Sequence, residues 1–385
     1  VLAASRAGFD TVFVPAGNAA EARLVPGMRV IGVSSLREAA IHHGAELEPI
    51  EVEPLLPLQL AAPVDDAGDL SEVIGNPDAV EAMQVAAAGG HHVFLLGPPG
   101  AGKTMLASRL PSLLPDLSPE QGLEVSCIRS LIGLPVGAHL VRRPPLEAPH
   151  HTASPAAIVG GGSGLIRPGA AARAAHGVLF LDEAPEFAAV SLDALRQPLE
   201  SGTITISRAS GTARFPARFQ LVLAANPCPC GNFGVRGSEC TCPANARRRY
   251  LARLSGPLLD RVDIQVNVLR ITAAQVRAAR RDGNPTSQAA CDRIAEARAR
   301  ATARLAETPW RLNAHVAGSW LRTPDGRPAR DATTALDRAL ERGAITMRGY
   351  DRVLKLAWTL ADLDFVERPG PEQVGRALLL RKAAA

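Results

Sequence analysis

The middle of the chain carries four short, mostly apolar runs: Val93–Leu96, Val178–Leu181, Phe219–Ala225 and Ile264–Leu269. A strand exposed on one face alternates polar and apolar residues. Runs of this kind, bounded by turn residues, instead predict strands covered on both faces, as in a parallel sheet. Helical spacing separates them. Pro77–Ala88 leads into the first run and Met105–Leu110 follows it, while Leu192–Glu200 and the arginine-rich Ala246–Leu254 precede the third and fourth. Two alternating stretches, Thr203–Ser207 and Ala213–Phe219, joined around Ser210-Gly211, predict a β-hairpin carrying Arg208, Arg214 and Arg218. From Ile271 onward the chain is nearly all helical, with stretches at Gln288–Glu307, Asp331–Arg342, Arg348–Leu363 and Pro371–Leu380.

The N-terminal residues 1–50 alternate short strands (Thr11–Val14, Val30–Val33) with helices (Val1–Ala7, Leu36–His43), which predicts a small α/β piece. Residues 51–68 turn Pro-rich and aperiodic, as a linker does. The expected organisation is therefore a small α/β piece at 1–50, a linker at 51–68, an α/β domain with a parallel sheet flanked by helices at 69–270, and a helical bundle at 271–385. Pro111–Pro149 reads as a polar, Pro-rich segment containing Arg142 and Arg143, and His150–Gly164 shows no period.

A length of 385 residues, 46% of them hydrophobic, suffices for two or three domains with real cores. The net charge of +4 is too small for a global polyelectrolyte, so nucleic-acid affinity would have to come from local patches. No apolar run approaches the ~18 residues of a membrane span, and no signal-peptide pattern opens the chain. A cytoplasmic location is the resulting expectation. The chain starts at Val1 in mid-pattern, as expected of a protein whose N-terminal portion lies outside this sequence.

The first strand runs directly into Gly97-Pro98-Pro99-Gly100-Ala101-Gly102-Lys103-Thr104, a G-x-x-x-x-G-K-T loop opening a helix. Strand, loop and helix in that order are what a phosphate cradle needs. The glycines let backbone N–H groups turn inward, the helix N-terminus adds partial positive charge, Lys103 reaches the β- and γ-phosphates, and Thr104 can hold Mg²⁺. The second strand ends in Asp182-Glu183, a pair suited to holding the Mg²⁺ shell and orienting an attacking water. The third delivers Asn226, which can hold the lytic water or sense the γ-phosphate, or simply forms an Asn-Pro turn. Cys228, Cys230, Cys240 and Cys242 follow, two close pairs across a turn. Such a set can close a tetrahedral Zn²⁺ site, although C-x-C is tighter than the usual spacing; reduced structural thiols or a redox-labile pair are the alternative. The neighbours His150 and His151 lack an evident third ligand, and the glycines at 160–164 read as a loop with close backbone approach.

Taken together, GPPGAGKT at 97–104, APHHT at 148–152, VLFLDEAPEF at 178–187, LRQPLESG at 195–202, ANPCPCG at 225–231, SGPLLDRVD at 255–263 and RGYDRVLKLAWTLADL at 348–363 resemble the YifB/ComM family of magnesium-chelatase-like AAA+ ATPases over nearly the whole chain. The resemblance implies an AAA+ P-loop core with a C-terminal helical lid, and at 1–50 the end of a Lon-protease-like domain for which no protease activity is claimed. It implies ATP and Mg²⁺ as cofactors, Arg261 as an arginine finger presented to a neighbouring subunit, and Arg348 as the lid arginine called sensor 2. Where the family often reads SARAY, this chain has Met347-Arg348-Gly349-Tyr350, with a glycine at the helix start. Two insertions, around His150–Ala175 and at 203–219, resemble pore-facing elements. The implied function is a hexameric DNA translocase or branch-migration helicase of DNA uptake, with no membrane partner. The other class to weigh is a chelatase-type motor subunit or protein-remodelling ATPase acting on a protein.

Overall fold

In the computed structural model of the protein, residues 1–52, 68–162, 166–208, 211–235, 237–279 and 284–382 are described. Most of the expected linker, Ser163-Gly164 of the glycine run and Ser210 at the hairpin tip lie outside them. The described residues form two compact units, one of 1–52 with 116–143 and the other of 68–115 with 144–382.

In the first unit, strands Thr11–Pro15 and Arg29–Val33 pair in parallel with Phe13 opposite Ile31. Ser35 caps the helix Leu36–His42 by accepting the Glu38 N–H. The segment read as polar and Pro-rich contains a helix, Pro119–Leu131. Its start is a capping box: Ser118 accepts the Gln121 N–H and the Gln121 side chain accepts the Ser118 N–H, satisfying donors the first turn leaves open.

The second unit is built on five parallel strands: Val93–Leu96, Leu146–Glu147, Val178–Leu181, Gln220–Ala225 and Ile264–Asn267. Numbered in chain order, they lie side by side as 5-1-4-3-2. Helices cover both faces, which is why these strands read as apolar runs. Along each strand successive residues feed opposite cores. Val93, Leu95, Phe180, Val222 and Val266 pack with the helices Pro77–Gly89 and Lys103–Leu113 and with the C-terminal helices. Phe94, Leu179, Leu181, Leu221 and Leu223 pack on the other side with Phe187, Leu192 and Leu195. The expected helix Leu192–Glu200 is broken in two, Ala189–Asp193 and Arg196–Ser201. Pro198 is the reason, since its ring would clash with the carbonyl four residues back and it has no N–H to offer. The hairpin is present as Thr203–Arg208 paired with Gly211–Pro216; Ile204 and Phe215 face the core while Arg208 and Arg214 are exposed.

The C-terminal region is helical: Ser287–Arg304, Thr334–Glu341, Met347–Leu363 and Pro371–Lys382. No helix among the described residues is long and apolar enough to cross a membrane. The arginines of Ser287–Arg304 are not a free solvated face, because most are spent on neighbouring elements. Arg298 donates twice to the Ala87 carbonyl, at 3.1 and 2.6 Å, closing the last turn of Pro77–Gly89. Arg304 grips the buried Asp362 carboxylate with both arms at 2.5 and 2.7 Å and lies 4.2 Å from the Trp358 ring centre.

His92, at the foot of the first strand, accepts the Leu221 N–H on its Nδ1 at 3.0 Å, which requires a neutral imidazole. Burial, and then the nearby Arg352 charge, pulls its pKa down to about 4 against the opposing pull of Asp263. A histidine depressed in the folded state contributes stability that is complete above its unfolded pKa near ~6.5 and is lost as pH falls toward the folded value. Urea midpoints are therefore expected to drop between about pH 6.5 and 4, by up to about 3 kcal/mol in unfolding free energy from this group. A His92→Gln chain should show a shallower fall over the same range.

Candidate functional site

The strand order places three chain ends at one edge of the sheet. Leu96 pairs with Ala225, and Leu223 pairs with Leu181, so the loop after Leu96, the Asp182-Glu183 step and Asn226 emerge side by side. Between the first strand and its neighbours the connections run in opposite directions, and in open α/β sheets that switch point is where ligands bind. A cleft of about 420 Å³ opens there, lined by Pro99–Met105, Asp182, Glu183, Ala225 and Asn226.

The loop is shaped by its glycines. Gly102 stands at φ +97°, in the left-handed region, immediately before the helix Lys103–Leu113. No side chain caps that helix, so its first N–H groups point into the cleft ready for an anion. Lys103 is buried and its ammonium donates to the carbonyls of Gly97 (2.6 Å) and Pro98 (3.0 Å) and to Asn226 Oδ1 (3.0 Å). Burial lowers its pKa, while the charges of Asp182 and Glu183 work to raise it. A polyanion in the cleft would add to that support for the charged form.

The Thr104 hydroxyl donates to Asp182 Oδ2 at 2.7 Å, so the two oxygen donors expected at a Mg²⁺ shell already meet. Asp182 Oδ1 accepts the Glu183 N–H at 2.9 Å. Glu183 itself sits at φ +50°, an uncommon conformation for a residue with a Cβ. That turn lifts its carboxylate, half exposed, toward the cleft mouth. There it faces His151 Nδ1 at 3.3 Å. The sequence alone flagged His151 only as one of a pair of adjacent histidines. Its contact with Glu183 is made by the fold, because the chain continues into it from the edge strand Leu146–Glu147.

The four cysteines converge. Cys228 Sγ lies 3.3 Å from Cys230 and 3.7 Å from Cys240, Cys230 lies 3.7 Å from Cys240, and all four sulfurs fall within 4.8 Å of one another. Four thiolates bound at ~2.3 Å in a tetrahedron stand about 3.8 Å apart, so this donor set fits a closed four-sulfur metal site. The Asn232 N–H draws the Cys230 thiol down to about 6, whereas burial pushes Cys228 up. The knuckle also seats on the phosphate loop: a Cβ added to Gly231 would come within 2.4 Å of Pro99 Cδ.

Lys103, Thr104, Asp182, Glu183 and Asn226 thus share one cleft, and two other candidate residues do not line it. Arg261 follows the short helix Gly256–Leu259 and is turned onto its own chain, donating to the Pro257 carbonyl and pairing with Glu200. Its Nε is buried and, among the described residues, without a hydrogen-bond partner. Arg348 is exposed in the first turn of Met347–Leu363. The glycine next to it is accommodated, since Thr346 caps the helix by accepting the Gly349 N–H.

Comparison with known proteins finds two matching family profiles and several relatives. The family profile described as magnesium chelatase, subunit ChlI, matches residues 69–276, and that described as the ChlI C-terminal part matches residues 284–381. An uncharacterized protein of Mycobacterium tuberculosis is 47% identical over 392 residues, which span all of this chain and 75% of that protein. The competence protein ComM of Haemophilus influenzae is 37% identical over 94% of this chain and 70% of its own length. The uncharacterized protein YifB of Escherichia coli is 42% identical over 77% of this chain and 57% of its own.

Proposed function

The chain belongs to the magnesium-chelatase family, and from that membership and the cleft we propose that it is a Mg²⁺-dependent AAA+ ATPase that hydrolyses ATP between subunits of a ring, in the cytoplasm, to move along DNA. The observation that carries the ATPase reading is the meeting of Lys103, Thr104, Asp182, Glu183 and Asn226 in one cleft under an uncapped helix N-terminus. Mg²⁺, when bound, would neutralise the negative charge that develops on the phosphates. Thr104 and Asp182 would hold it. The loop N–H groups and Lys103 bind and orient the phosphates, Asn226 fixes Lys103 and faces the terminal phosphate, and Glu183 orients the attacking water. Arg261 completes the site of the adjacent subunit, and Arg348 serves as the lid arginine, sensor 2.

DNA as the track is what the resemblance to the YifB/ComM family implies, and the exposed Arg208 and Arg214 of the 203–216 hairpin support it. The test is ATP turnover with and without single-stranded or forked DNA. Stimulation that weakens steeply with salt is expected. Indifference to DNA, with stimulation by a protein partner, would move the protein to the second reading, a chelatase-type motor, which the family profile's description favours.

The cysteine knuckle is assigned a structural Zn²⁺. Four thiolates leave no open position, so the ion would not take part in chemistry. It would pin the segment that carries Asn226 at one end and presses Gly231 on Pro99 at the other. About one zinc per chain is expected by elemental analysis. Cys240→Ser should lower ATP turnover although Cys240 does not line the cleft. Metal-free protein with full activity and four freely titratable thiols would contradict the assignment.

A further inference from the structure

Arg352 lies one helical turn beyond Arg348 on Met347–Leu363, and nothing in the nucleotide chemistry above uses it. Its guanidinium reaches out of the helical region to the strand-side segment that carries Arg261. Arg352 Nη1 donates to the Arg261 carbonyl at 3.2 Å and to the Asp263 carboxylate. Arg381, on the next helix, donates to the Val262 carbonyl at 2.7 Å. Three consecutive residues, Arg261, Val262 and Asp263, are therefore held by two arginines of the C-terminal helices.

Asp263 is the anchor of this contact. Only 2% of it is exposed. Burial alone would raise its pKa, but the hydrogen bond from His91 and the charge of Arg352 hold it far below the usual carboxylate range. Its second oxygen faces His91 Nδ1 at 3.2 Å and lies 3.4 Å from the His92 N–H, and His91 Nε2 lies 2.8 Å from Thr359 Oγ1. Thr359 is again on Met347–Leu363, seven residues after Arg352 and so on the same face. The face that carries Arg348 thus continues through Arg352 to Thr359, and its last two members contact the bonded pair Asp263 and His91, Arg352 the first and Thr359 the second. By contrast, the Arg261 side chain is held by its own chain, by the Pro257 carbonyl and by Glu200. Its partner Glu200 is two-thirds exposed, an ion pair of small worth that an incoming phosphate can replace.

We propose that Arg352 is a positioning residue for Arg261: by gripping the Arg261 carbonyl and Asp263, the lid helix of one subunit sets the aim of the arginine that this subunit presents to its neighbour's nucleotide. The inference rests on the reading of Arg261 as an arginine acting between subunits. Both contacts come from the one terminal nitrogen, Nη1, so Arg352→Lys keeps the charge and enough donors but on a shorter side chain that ends before that nitrogen's position.

Two full-length variants test it. Glu183→Gln chains act as donors, supplying Arg261 but hydrolysing little. Arg261→Ala chains act as receivers, with an intact cleft and no arginine to give. Mixing them should restore ATP turnover at receiver clefts. Adding Arg352→Gln, or the milder Arg352→Lys, to the donor should then cut the restored rate by about 10²-fold, the scale of a misaimed group. Adding the same change to the receiver should leave it, because that chain has no Arg261 to aim. Equal losses in both placements, or a loss confined to the receiver, would overturn the proposal and assign Arg352 to its own subunit's fold or nucleotide. If the unmodified mixture restores nothing while each variant still binds ATP and assembles, the reading of Arg261 itself fails and this inference falls with it. Circular dichroism and assembly of each variant separate misfolding from misaim.

Discussion

Replacing Arg261 by alanine is expected to lower ATP turnover by about 10³- to 10⁵-fold while leaving ATP binding unchanged, the range an arginine finger contributes in P-loop enzymes. Arg261 does not line its own chain's cleft, so nothing that contacts the bound nucleotide in that chain is removed. Its present partner, Glu200, is mostly solvent-exposed, so losing the pair leaves no buried charge uncompensated and stability should change little. A guanidinium with one buried, unpartnered nitrogen is also not in its best-satisfied arrangement. The diagnostic pattern is therefore near-normal nucleotide affinity by fluorescence titration, near-normal thermal stability and almost no turnover. Turnover close to that of the parent chain would remove Arg261 from the reaction.

Glu183→Gln should give the other large loss, about 10²- to 10⁴-fold in turnover, with tight ATP binding and assembly retained. The amide keeps the shape but not the negative charge that polarises water. Because Glu183 is held at φ +50° by the Asp182 contact to its backbone N–H, the substitution leaves that turn in place. Its neighbour His151 loses a charged partner but keeps an acceptor oxygen. Single-turnover and steady-state rates should fall together, since the chemical step is affected. Lys103→Ala, by contrast, should fail at binding, because it removes the cation that spans the loop carbonyls and Asn226.

Much of this site was legible in the sequence because its determinants are local. Lys103 and Thr104 belong to one eight-residue loop. Asp182, Glu183 and Asn226 each stand at the end of an apolar run, and in a parallel sheet such ends gather at one edge. The helix Pro119–Leu131 was locally written too, in the Ser118-x-x-Gln121 capping box, but a weak apolar stripe among prolines hid it. The two-part helix around Pro198 shows a local rule overridden by a single ring. What local pattern could not carry is contact between distant segments. Residues 116–143 group with the N-terminal unit, His151 meets Glu183, and Arg352 meets Asp263 across 89 residues of chain. The arginines at 293, 298, 300 and 304 fit either a solvated helix face or a binding role on sequence alone. They are bonded to carbonyls and a carboxylate of neighbouring helices and loops, and only the packing reveals those partners.

On the proposed reading, the cleft around Lys103 is half of a site that Arg261 of another copy completes. Electron microscopy of the full chain with Mg²⁺, a slowly hydrolysed ATP analogue and a forked DNA would show whether the two halves meet. The expected image is a closed ring with nucleotide at each subunit junction, Lys103 on one side and Arg261, released from Glu200, on the other. DNA should thread a pore lined by the 203–216 hairpins. Separate copies with filled clefts and Arg261 still on Glu200 would contradict it.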